Sequence, residues 1–204
     1  MLLSFAAASA QNPASHVEAN TFVSPQNPAV RVEITRDIAY LGQVPFTIEN
    51  IAGGLRYIFV RADASKHIQS MFIVQQEGFF PTSDDTYKYD ITSPARLGRA
   101  DYQHSVSMYN NDLEIRKAPG KEGDVTTKFL RAHGYTLESE LVMSRFARPV
   151  GADRKHEILF FCYENLSAYG HKLSEFPDGS ASPEKRLISR KVDNNCRQMF
   201  HVSD

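Results

Sequence analysis

Within the run Asp101-Tyr102-Gln103-His104-Ser105 the chain carries a carboxylate, an imidazole and a hydroxyl almost side by side. An imidazole is the natural general base near neutral pH; a carboxylate can orient it, and a hydroxyl can become its nucleophile. On a strand, residues 104 and 105 point to opposite faces, so Ser105 cannot serve the ring next to it. His104 is therefore the candidate base of a hydrolase-like enzyme only if another strand supplies the nucleophile. The alternative is an inward polar residue, hydrogen-bonded within the core or a pocket wall.

A second charged group, Lys155-His156-Glu157, opens the later arm of a hairpin and reads as a solvated turn. The histidines (His16, His67, His104, His133, His156, His171 and His201) lie in separate segments. No pair has the i, i+4 or i, i+2 spacing that sets two rings on one side of a helix or strand, so neither a metal site nor a cofactor is expected. The middle of the chain is rich in aromatics: Phe79-Phe80, Tyr87, Tyr89, Tyr102 and Tyr109. Rings with a polar tip line ligand pockets, which makes Tyr87, Tyr89, Tyr102 and Tyr109 the candidate ligand-binding residues. Their other use is to build the core of a sheet. The nucleophile elbow, phosphate-binding loop, dinucleotide fingerprint and zinc-protease helix motifs are absent from the sequence.

A formal net charge of −1 gives no field for nucleic acid or anionic membrane. The basic residues Lys185, Arg186, Arg190, Lys191 and Arg197 fit the solvated face of a helix. No stretch approaches the ~20 apolar residues needed to span a bilayer, so no transmembrane segment is expected. The two cysteines, Cys162 and Cys196, do not form a C-x-x-C pair; in an oxidising compartment they are expected to join as a disulfide.

Residues 1–10 point to such a compartment. Leu2 to Ala8 is apolar and Ala8-Ser9-Ala10 has the small-x-small form of a signal-peptidase site. No Lys or Arg precedes Arg31, so the segment reads as a signal-peptide remnant whose basic start is expected upstream of Met1. Residues 11–29, polar and proline-rich, read as a linker or loose N-terminal arm, and residues 30–204 as a single α+β domain.

Positioning any of these side chains falls to hairpins. Val30, Val32 and Ile34 alternate with polar residues as a strand does, and a short strand follows at Phe46–Ile48 before a Gly53-Gly54 turn. Residues 55–61 and 67–76 form a hairpin, with a further strand at 87–91. Residues 100–110 fit either period, and a strand is favoured because good helix formers are sparse there. Asp124 caps an internal helix ended by Gly134. Residues 137–147 and 157–165 make a second hairpin about a Pro149–Asp153 turn, and the second arm, apolar on both parities, is expected to run centrally. Ser182-Pro183-Glu184 opens an amphipathic C-terminal helix carrying Ile188, Val192, Cys196 and Met199 on one face.

The sum is an α+β fold, an antiparallel sheet of about six strands with an internal and a C-terminal helix. A closed β-barrel with a C-terminal helix is the alternative. The functional expectation is a secreted or periplasmic, non-catalytic binding module for a small apolar or aromatic ligand or a partner protein. A hydrolase-like enzyme using His104 and an accessory envelope protein are the competing classes.

Overall fold

A computed structural model describes residues 14–26, 28–177 and 182–203. The leader expected at residues 1–10 lies outside the described residues. Two antiparallel sheets carry the architecture. The smaller has the order β1 (His16–Glu18), β2 (Thr21–Ser24), β3 (Val30–Ile34) and β11 (Phe200–Ser203). The larger is built from β4 (Ala39–Ile48), β5 (Ala52–Ala62), β6 (Ile68–Phe79), β7 (Pro94–Leu97), β8 (Ala100–Asn110), β9 (Glu140–Val150) and β10 (His156–Asn165). Its seven strands run in the order β4-β5-β6-β10-β9-β8-β7, with free edges at β4 and β7, so the sheet is open and no barrel closes. Helices α1 (Asn111–Lys117), α2 (Glu122–Ala132) and α3 (Pro183–Met199) complete the α+β fold.

Alternation explains the layers. The even positions of β10 and β6, among them Ile158, Phe160, Cys162, Phe72 and Val74, join Phe22, Val32 and Phe200 of the small sheet in one buried cluster. The odd positions, including Leu159, Phe161, Tyr163, Met71 and Ile73, face the opposite way and pack with Leu130 and Phe129 of α2. Helix α3 covers the even face beside the small sheet, where Ile188 and Val192 meet Val142 and Leu166. Since β10 has a layer on each side, both of its parities are apolar. It is the central strand of the seven.

Several elements differ from the sequence reading. Residues 16–24, expected as a loose arm, form the β1–β2 hairpin, because Phe22 is fully buried against the Tyr57 ring at 4.8 Å and Ser24 Oγ accepts from Gln76 Nε2. One aromatic in a polar stretch anchors the arm without producing any periodicity. Gly53-Gly54 is not a turn. The chain reverses at Glu49 and Asn50, both at positive φ (47° and 58°), and the two glycines lie inside β5. Residues 87–91 form no strand; this segment is held as a strap by Arg154, which donates to the Tyr87 and Tyr89 carbonyls. The internal helix begins at Glu122, two residues ahead of Asp124. Asp124 is not its cap but accepts from Gly120 N at 2.8 Å and pairs with Lys128. A further short helix, α1, precedes it, capped by Asn110 accepting from Leu113 N.

Cys162 in the central strand and Cys196 in α3 are joined by a disulfide with Cα atoms 5.6 Å apart. Among the described residues no helix is long and apolar enough to cross a membrane.

Candidate functional site

Between the odd face of the large sheet and the α1–α2 pair lies a cavity of about 570 Å³, a volume typical of small-molecule sites. Strand register sets its chemistry row by row. At one end Glu77 of β6 is paired directly with Glu157 of β10. In the next row Arg56 of β5 is paired with Gln75 and Gln75 with Leu159. Then come Ile58, Ile73, Phe161 and Arg145, and after them Val60, Met71, Tyr163 and Met143. The floor therefore runs from ionisable to apolar within a few strand residues.

The ionisable end is tightly bonded. Arg56 Nε donates to Gln75 Oε1 at 2.5 Å, and its Nη1 donates to Thr126 Oγ1 at 2.7 Å and to the Glu122 carbonyl at 3.1 Å, fixing α2 to the sheet. The guanidinium also lies over the Phe161 ring, 5.2 Å from its centroid. Gln75 Nε2 donates onward to Glu77 Oε2, and the Tyr87 hydroxyl donates to Glu77 Oε1 at 2.8 Å. Arg145 Nη2 donates to Glu157 Oε1 at 3.2 Å. The Tyr89 hydroxyl is buried beside Glu157 but makes no hydrogen bond of good geometry with the described residues.

Burial governs ionisation here. Glu157 is 3% exposed. Its carboxyl is pushed up to about 7, first by desolvation and then by the facing Glu77, with Arg145 opposing. Glu77 is raised for the same leading reason, and its bonds from Tyr87 and Gln75 hold it back. Desolvation, assisted by these acids, also keeps Tyr87 and Tyr89 in their neutral form.

Gly54 makes room for the pair. A Cβ there would stand 2.1 Å from the Gln76 carbonyl oxygen and 2.9 Å from Glu77 Cβ. No side chain fits without moving backbone.

Of the tyrosines singled out in the sequence, Tyr87, Tyr89 and Tyr109 line this cavity. Tyr102 does not. It is fully buried on the opposite face, in the cluster between the two sheets, with its ring 5.4 Å from that of Phe160. Residues 102 and 109 have opposite parity on β8, so one wall cannot hold both.

His104 also lies on that opposite face. Its Nε2 stands 2.8 Å from Asp193 Oδ1 and 3.1 Å from Ser144 Oγ, and its ring stacks on Phe146. Hydroxyl and carboxylate thus meet the same ring nitrogen. A catalytic relay needs them on opposite nitrogens, so this geometry pins β8 and β9 to α3 and prepares no nucleophile. Asp193 also accepts from Arg197 Nε at 3.0 Å. Burial opposes its ionisation, yet the bonds from His104 and Arg197 prevail and bring it down to about 2.

Glu157 is where the sequence reading missed most. Its place after Lys155-His156 suggested a solvated turn, whereas it is the first odd residue of β10 and points into the cavity. Only the pairing with Glu77 reveals this, and no local pattern signals it. The Asn165-Leu166-Ser167 sequon is closed in the folded chain, since Asn165 is buried and donates to the Ile68 carbonyl at 2.8 Å. Compared with known proteins, the chain matches no family model, no curated protein and no solved structure.

Proposed function

We propose that the chain is a binding module for a small amphipathic molecule held between the large sheet and α1–α2. One observation carries this reading: a single cavity presents a graded wall, with Glu77, Glu157 and Arg56 at one end, Arg145 reaching back to Glu157, and Ile73, Phe161, Met71 and Met143 in the rows beyond. An apolar body loses water against the second group while a polar head is oriented by the first. Tyr87 and Tyr89 on the Arg154-held strap close the polar end. Export to an oxidising compartment belongs to the same proposal and is supported by the Cys162–Cys196 disulfide.

Isothermal titration with 1-decanol tests it. One saturable site is expected, and Met143→Trp, which fills the cavity, should remove it while the circular dichroism spectrum stays unchanged. Binding unaffected by Met143→Trp would place the ligand elsewhere.

A second reading has one observation in its favour: Glu157 is buried in the cavity directly opposite Glu77, and that burial pushes its carboxyl up to about 7. Such a group is matched to general acid–base work. Glu157→Gln would then abolish turnover of a bound substrate without weakening its binding.

A further inference from the structure

Resting on the reading of this cavity as a small-molecule site, we propose that its ligand carries a carboxylate head that pairs with Arg56. Arg56 is 5% exposed, and a guanidinium keeps its charge at any pH the fold survives. Removing that charge from water is costly unless an opposite charge answers it. Each of its hydrogen-bond partners is neutral: the Gln75 amide oxygen, the Thr126 hydroxyl and the Glu122 backbone carbonyl. Among the described residues no carboxylate lies within ion-pairing distance of it, whereas Arg145 has Glu157.

Two of the acids around it are engaged elsewhere. Glu77 accepts from Tyr87 and Gln75; it feels the Arg56 charge at a distance but is hydrogen-bonded toward it only through the Gln75 amide. Asp124 accepts from Lys128 and Gly120. A ligand carboxylate is the missing counter-charge, since its two oxygens accept from a planar guanidinium as a fork does. The apolar rows of Ile73 and Met71 begin immediately beyond Arg56 and Gln75, so the body of such an acid has its place. An ammonium head would be repelled by Arg56 and could pair only with Glu77 and Glu157, which already accept from Tyr87, Gln75 and Arg145. An alcohol would set no charge opposite Arg56.

Titrating the full chain with decanoate, 1-decanol and decylamine separates these cases. Decanoate is expected to bind at least roughly tenfold tighter than 1-decanol, as a charge-assisted pair requires, with decylamine weakest. Arg56→Gln removes buried hydrogen bonds and can unfold the chain, so Gln75→Glu carries the test. That variant places a protein carboxylate where the Gln75 amide oxygen now meets Arg56 Nε. Because Gln75 also donates to Glu77, folding of the variant is checked by circular dichroism and decanoate is read against 1-decanol in the same variant: the preference for the acid should fall roughly tenfold. Equal binding of acid and alcohol, a preference for the amine, or an unaltered preference for the acid over the alcohol in Gln75→Glu would overturn the carboxylate assignment and leave the binding cavity standing. Failure of all three probes to bind would remove both.

Discussion

Glu77 and Glu157 stand directly opposite each other on neighbouring antiparallel strands and turn both carboxyls into one cavity. Facing positions on adjacent strands bring Cβ atoms to about 5 Å, where like charges oppose each other. A stable sheet would ordinarily avoid the pairing. Here Gly54 gives it space, while Tyr87, Gln75 and Arg145 supply its hydrogen bonds.

The first consequence is a pH-dependent stability. Glu157 rises from an ordinary 4.5 to about 7 on folding. Between these values the folded chain binds more protons than the unfolded one, so stability is fully present below 4.5 and falls as pH rises through 7. The loss from this group is on the order of 3 kcal/mol. Glu77 shifts in the same direction, and Arg145, Arg56, Tyr87, Tyr89 and Glu122 are the other titratable groups around the pair. Urea midpoints between pH 5 and 8 should fall for the wild type and flatten in Glu157→Gln; parallel profiles would contradict the coupling.

Space is the second constraint. Gly54→Ala drives a methyl against the Gln76 carbonyl and Glu77 Cβ, and overpacking of this kind costs about 1–3 kcal/mol. Thermal unfolding would show it, and an unchanged Tm would mean that β5 and β6 can separate freely there.

On the other face, His104→Ala should lose about 1–3 kcal/mol, because β8 is no longer bonded to Asp193 and Ser144. Asp193 is depressed, so its stabilisation is present above its ordinary 3.8 and lost as pH falls through about 2. Without His104 the acid-unfolding limb should move to higher pH, while 1-decanol affinity stays the same. A change in ligand affinity with no change in the acid limb would return His104 to a functional role.

Local periodicity carried much of the fold to the surface of the sequence. The two apolar parities of residues 157–165 marked a central strand, and Ser182-Pro183 marked the start of α3, where Ser182 accepts from Lys185 N at 3.1 Å. What stayed hidden depends on partners far along the chain. Glu77 and Glu157 are brought together only by the β6–β10 register, Asp193 comes to His104 from α3, and Phe22 finds its burial on another sheet. The tyrosines were half legible. Strand parity alone separates Tyr102 from Tyr109, but the non-strand strap that presents Tyr87 and Tyr89 rests on Arg154, in the distant β9–β10 turn.

The disulfide should matter energetically. It links residues 34 apart, and closing a loop of that length restricts the unfolded chain by roughly 3–4 kcal/mol. Reduction should lower the urea midpoint accordingly and raise the intact mass by two hydrogens. An unaltered mass would show that the thiols are free.

The central claim, that the odd face of the large sheet holds the ligand, is tested most directly by methyl-resolved NMR with 1-decanol. Saturable shifts are expected for the methyl groups of Met71, Ile73, Met143 and Leu159, which line the cavity, and none for Val32, Val74 and Ile158 across the sheet. Shifts confined to the second set, or no saturable shift in the first, would contradict it.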